Sequence, residues 1–408
     1  MKKSLLALAV FGAFAGVAHA QSSVTIYGII DTNVTYENSA AGTTGVTGSK
    51  FSVNSGSSNI QGSRLGFKGA EDLGGGLSAV FNLEAGFYSD TGALNNANGG
   101  SPTLFRRKSN VGFSSTTFGT VLVGRQTDWN DTISAYTAVN DFGGFVGNSG
   151  SNLDRLQGTR TNNSISYTTN AISGFTATAL YGFGEQAGQT SDGQAFSFGG
   201  SYVNGPLALG ATYYQSKVGA TNANTADTSL TSTTTTTPIY SAGNAGSTAQ
   251  KVFTLVGSYQ VGPARVYANW SQVKQPLNVE GTVVNGGTTS VFTSLATSTT
   301  SLATNSNATL ANAKKVNAYE IGTAYSLSAA LKLLAAVDYA SAQFDGVGTN
   351  GKVTQVSLGT DYNLSQRTDV YAFLGYVHSS NLYNPGVVDA TGGGTNQTAV
   401  AVGVRHKF

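Results

Sequence analysis

Residues 63–88, SRLGFKGAEDLGGGLSAVFNLEAGFY, constrain the fold more than any other stretch of the chain. Leu65 and Phe67 alternate with Arg64, Gly66 and Lys68. After the turn Glu71 to Gly76, the apolar series Leu77, Ala79, Phe81, Leu83, Ala85 and Phe87 alternates with Ser78, Asn82 and Glu84. Side chains on a strand point to opposite faces with a period of two. The stretch is therefore a hairpin with one apolar and one polar face on each strand. The same alternation returns late in the chain. Leu331, Leu333, Ala335, Val337 and Tyr339 oppose Lys332 and Asp338; Tyr319, Ile321, Tyr325 and Leu327 oppose Glu320; Val266, Ala268 and Trp270 oppose Arg265 and Asn269.

Sixteen such strands are predicted. The first carries Val24, Ile26, Ile30 and Val34, with Asp31 and Asn33 opposite. The others are 60–69, 77–88, 104–115, 118–126, 160–169, 174–184, 194–203, 207–217, 251–260, 264–274, 314–326, 329–340, 352–362, 368–378 and 396–408. Their connections are short at one end and mostly long at the other, the longest being 37–59, 89–103, 127–159, 218–250, 275–313 and 379–395. An even strand count with alternating short turns and long loops is the signature of an outer-membrane barrel. Sixteen strands enclose a space too wide for side chains to fill, so the interior is wet and the apolar faces meet lipid. No stretch after residue 20 has the 18 or so apolar residues of a membrane helix. A chain without one crosses a membrane only as a closed barrel.

Composition agrees. Charged residues are 10% of the 408, against about 25% in a typical soluble protein. Residues 1–20 read as a secretory signal peptide: Lys2 and Lys3, an apolar run, then Ala18-His19-Ala20. The mature barrel would span 21–408, near neutral with 20 basic and 20 acidic residues once Lys2 and Lys3 are lost. Such a chain lacks the basic stripe that nucleic acid requires. It has no cysteine, so an exported form does without disulfides. Past the signal only His378 and His406 remain, without ligand spacing, so no metal or cofactor is expected. No Gly-x-Ser-x-Gly elbow precedes a helix and no catalytic constellation emerges, so an enzyme is not expected. The segments 221–237 and 282–311, within the loops 218–250 and 275–313, are rich in Thr, Ser, Asn, Ala and Gly and read as solvated insertions. An adhesive barrel acting through these loops is the alternative function.

Several motifs carry a family resemblance: Ser23-Val24-Thr25-Ile26-Tyr27-Gly28, the hairpin SRLGFKGAEDLGGGL, Val123-Gly124-Arg125-Gln126, Tyr181 to Glu185, and the ending GVRHKF. Together they resemble the trimeric general porins of Gram-negative outer membranes, of the beta-proteobacterial type. The resemblance implies a 16-stranded antiparallel transmembrane β-barrel, a homotrimer, and a long third loop (127–159) folded into the pore. It implies passive diffusion of small hydrophilic solutes and ions across the outer membrane. It also implies a constriction with acidic groups on the loop facing a basic wall.

Residue by residue, the basic side comprises Arg64, Arg107 and Arg160, with Lys68 and Arg106 nearby. On the fourth strand two arguments conflict. Alignment of Val111-Gly112-Phe113 selects Arg107, whereas parity selects Arg106 and Lys108. Arg125 shares a face with Val121 and Val123 and is a weaker candidate. On the loop, Asp141-Phe142-Gly143-Gly144 resembles the family's acidic-Phe-Gly-Gly tip, so Asp141 is set opposite the arginines, with Asp128, Asp131 and Asp154 as further acids. The wall as a whole is expected to give a mild preference for anions. Phe408 is expected to be the terminal aromatic read by the outer-membrane insertion machinery.

Overall fold

In a computed structural model of the chain, residues 23–41, 47–55, 59–94, 103–147, 160–217, 248–274, 313–344, 347–388 and 394–408 are described. The signal segment, Asp154 and most of the Thr-rich loops lie outside them.

Seventeen strands follow one another: β1 (Ser23–Ala41), β2 (Thr47–Asn54), β3 (Arg64–Gly74), β4 (Leu77–Gly86), β5 (Lys108–Ser115), β6 (Gly119–Thr127), β7 (Arg160–Thr168), β8 (Phe175–Gly182), β9 (Ala195–Asn204), β10 (Leu207–Lys217), β11 (Thr248–Val261), β12 (Ala264–Lys274), β13 (Lys315–Ser326), β14 (Leu331–Gln343), β15 (Gly351–Asn363), β16 (Thr368–Ser380) and β17 (Asn396–Lys407). From β3 onward each strand pairs antiparallel with the next, and β17 returns to β1, Ile29 opposite Lys407. The other edge of β1 is shared. Ser23 to Ile29 pair with β3, and Asn33 to Ala41 pair with β2. Seventeen strands thus occupy 16 positions in a closed antiparallel barrel. Closure leaves no unpaired edge in lipid, where a bare backbone amide has no partner.

The expected loop 37–59 is partly strand: it holds the end of β1 and all of β2. Only Phe51 and Val53 alternate there, too few for a pattern, and the pairing is recognisable through the Tyr36 and Phe51 rings, 4.9 Å apart. β5 begins at Lys108 rather than 104, which leaves Arg106 and Arg107 just ahead of the first paired residue.

The faces are reversed relative to a water-soluble protein. Val34, Val111, Ile321 and Val402 are each more than half exposed, while Asp31, Glu84, Glu320, Asp338, Gln355 and Asp369 are buried. Apolar side chains point out to lipid and polar ones point in, as in outer-membrane barrels.

Candidate functional site

After β6 the chain turns into four short helical pieces: α1 (Asn130–Ile133), a 3-10 turn (Ser134–Tyr136), α2 (Val139–Phe142) and α3 (Gly144–Gly147). Asp128 starts the run by accepting the Asn130 N–H at 3.1 Å. Successive residues then meet successive strands on their inward faces. The Thr212 hydroxyl of β10 donates to Asn130 Oδ1. Ile133 sits over Gly210, where a Cβ would come within 2.5 Å of it. Arg265 of β12 donates to the Ala135 carbonyl at 3.1 Å. Glu320 of β13 accepts the Ala138 N–H at 2.8 Å. Gln355 of β15 donates to the Phe145 carbonyl at 2.7 Å. Phe142 and Phe145 flank Phe373 of β16, with centroids 5.1 and 5.3 Å away. Gly144 N–H closes the run on the Asn59 carbonyl at 2.9 Å. Polar groups on the wall satisfy the backbone ends of helices too short to satisfy their own.

Across from these contacts lie the arginines. Arg107 donates from Nε to Glu84 Oε1 at 2.5 Å, and Tyr27 donates to Glu84 Oε2 at 2.8 Å. Arg64 stands in the field of Arg107, Glu84 and Asp131, and Arg160 in that of Arg107, Asp131, Arg125 and Arg106. Arg64, Arg107 and Arg160 are therefore electrostatic neighbours, with Arg106 and Arg125 beside them. The carboxylates among them are Glu84, held by Arg107 and Tyr27, and Asp131 of α1, which accepts the Thr127 hydroxyl at 3.3 Å. Lys68 lies 5.4 Å from the Tyr27 ring centroid. With Lys108, Asp128, Trp129 and Asp131 it lines a cavity of about 500 Å³ against the inner faces of β1 and β3 to β9.

Lys108 lines the cavity, and Arg107, which precedes the paired residues of β5, reaches Glu84. The Arg106 carbonyl accepts Arg125 Nε at 2.5 Å. Asp141, expected opposite Arg64, Arg107 and Arg160, instead pairs with Arg265 Nη2 at 2.5 Å. The loop acid adjoining Arg64 and Arg160 is Asp131. Parity marks Arg265 and Glu84 as polar-face residues, but not their height on the wall, so their partners do not emerge from sequence.

The sequence profile of Gram-negative porins matches residues 6–382. The chain is a member of the Gram-negative porin family. This porin is 33% identical to outer membrane porin protein 32 of Delftia acidovorans and 31% identical to an outer membrane porin protein of Bordetella pertussis, each over 100% of both chains. Its barrel superposes on the anion-selective porin from Comamonas acidovorans with a TM-score of 0.65 at 27% identity, covering 95% of this chain and 100% of the other. OmpT of Vibrio cholerae, in its trimer form, shares the fold at a TM-score of 0.59 and 18% identity, over 95% and 99% of the chains. The porin belongs in the outer membrane as a passive diffusion channel, and its family is not a class of enzymes.

Proposed function

We propose that residues 130–147 narrow this channel and that the arginine cluster sets its selectivity, giving a mild preference for small anions. The observation that carries this reading is the charge balance. Arg107 acts electrostatically on both Arg64 and Arg160, Glu84 is already engaged by Arg107, and Asp141 is engaged by Arg265. Asp131 remains as the loop acid beside the cluster. Arginine stays charged at any physiological pH, so the cluster holds a standing positive potential. Charged groups around a wet constriction tune ion selectivity in this way. The similarity to the Comamonas acidovorans porin, which is described as anion-selective, supports the sign. The functional assembly is a homotrimer, a closed cyclic arrangement that suits three barrels inserted in the same sense.

The test is the reversal potential of the purified trimer in a planar bilayer under a salt gradient. The wild type should favour anions weakly, and less so at high salt, where screening shortens to about 3 Å at 1 M. Joint replacement Arg64→Ser and Arg160→Ser should move the potential toward cations. A potential that stays put removes both residues from the narrow part of the channel.

A further inference from the structure

Where residue 138 of the loop meets the wall, two carboxylates face each other without a counter-charge. Glu320 of β13 stands directly opposite Asp338 of β14, and Asn269 of β12 stands directly opposite Glu320. The three side chains form one inward rung across three neighbouring strands. All are more than nine-tenths buried, Asn269 at 6%, Glu320 at 4% and Asp338 at 3% exposure. Directly opposed residues have Cβ atoms about 4.5–5.5 Å apart, and like charges at that spacing repel. Among the described residues no basic side chain pairs with either carboxylate, and Arg265 is taken by Asp141.

Unmet polar atoms collect on this rung. Glu320 Oε1 accepts the Ala138 N–H at 2.8 Å, but Oε2 has no partner. Neither oxygen of Asp338 has one, and neither does Oδ1 of Asn269. Gln355 of β15 extends the rung opposite Asp338. It donates to the Phe145 carbonyl and to Ser357, and its Oε1 is likewise without a partner. The surroundings offer no relief, since Ala138, Ala318, Ala336 and Ala340 are buried around the pair. A buried acceptor without a donor is costly, and a buried carboxylate without a counter-charge more so.

We infer that this rung is a binding site for one divalent cation, Ca²⁺, which ties the wall to the loop at residue 138. Glu320 and Asp338 supply the two negative charges it balances, and Asn269 Oδ1 a third, neutral ligand. Among the described residues no three acidic, histidine or cysteine side chains gather as ligands, so the carboxamide completes the set. Ligation by oxygen alone selects a hard cation, for which the scarcity of histidine and cysteine is no obstacle. Ca²⁺ fits better than Mg²⁺, because Mg²⁺ keeps several waters and a buried rung does not accommodate them. A proton shared by the two carboxylates would bridge one oxygen of each. It would leave the second Asp338 oxygen and Asn269 Oδ1 unmet.

The test is equilibrium dialysis of the folded full-length porin in detergent, freed of divalent ions with EDTA, against radioactive Ca²⁺. The wild type should hold one Ca²⁺ per chain more tightly than any other, and Mg²⁺ should displace it only in large excess. Glu320→Gln and Asp338→Asn preserve the side-chain shapes, and each should weaken that ion about a hundredfold. Asn269→Asp adds a charged ligand and should tighten it about tenfold, a gain that poor folding cannot mimic. Unchanged Ca²⁺ binding in both Glu320→Gln and Asp338→Asn overturns the assignment, since the ion then sits on other carboxylates. So does a folded wild type that holds no tight Ca²⁺, since the pair then shares a proton. Equal affinity for Ca²⁺ in Asn269→Asp and the wild type also overturns it, because the rung then lacks its third ligand.

Discussion

Gly143 packs against the backbone of Asn59 and Ile60, and it offers a sharp test of what the loop does. Its backbone lies at φ 56°, ψ −129°, a region open to glycine and costly for any other residue. A Cβ built there would stand 2.0 Å from the Ile60 carbonyl oxygen and 2.4 Å from that of Asn59, whereas real Cβ contacts stay beyond 3.0 Å. Gly143→Ala therefore demands a separation of at least 1.0 Å, the difference between 3.0 and 2.0.

The wall side cannot yield cheaply. Asp31 holds residues 59–61 by accepting the Gln61 N–H at 2.9 Å and Asn59 Nδ2 at 3.0 Å, and is itself held by the Tyr371 hydroxyl at 2.6 Å. The tip must give way, breaking the 2.9 Å bond from Gly144 N–H to the Asn59 carbonyl. The backbone conformation costs about 1–3 kcal/mol and the hydrogen bond about 1 kcal/mol more. That is enough to undock the tip and too local to unfold the barrel. Because the tip retreats from the wall toward the lumen, single-channel conductance should fall on the order of tens of per cent and open-channel noise should rise. Heat-modifiability on gels should stay normal, and Gly48→Ala, in open space on β2, should change neither property. Wild-type conductance and noise in Gly143→Ala would refute the premise that the docked tip sets the channel width.

Three further outcomes follow from named contacts. Arg265→Gln removes a cation and exposes Asp141, so the reversal potential should move toward cations; Asp141→Asn should move it toward anions. In the double variant the two effects should fail to add, and strict additivity would mean that the 2.5 Å pair is not formed. Phe408 exchanges two backbone hydrogen bonds of 3.1 Å with Gly28 at the barrel seam, so its deletion should lower the folded, membrane-inserted fraction, measured as heat-modifiable protein. Gly28→Val should do the same, because a Cβ there meets the Arg64 carbonyl oxygen at 2.7 Å as well as the Phe408 ring; normal folding of both variants would separate the terminal aromatic from barrel closure.

The sequence is legible wherever a single physical rule acts over many residues. Alternation over ten or more positions, fixed by the need to face lipid on one side, locates all the full-length strands within a few residues. It falters where the rule is interrupted. In β6 the register against β7 shifts between Gly124 and Gln126, with Gly124 at φ +126°. That bulge redirects Arg125, which parity groups with Val121 and Val123, to the Arg106 carbonyl and the Asn162 side chain. Arg107 stands one residue before the first ladder pair of β5, its N–H on the Glu84 carbonyl at 3.1 Å, so the alternation of the strand does not place it. The loop is harder still. Its helices are four residues or fewer and have no amphipathic period to read, so their placement is decided by Thr212, Arg265, Glu320 and Gln355, far away in sequence. Asp131 and Asp141 are chemically equivalent loop acids until those contacts exist. Arg265 then takes Asp141, and Asp131 is left beside Arg64 and Arg160. Which wall residue each loop acid meets is thus decided by contacts distant in sequence.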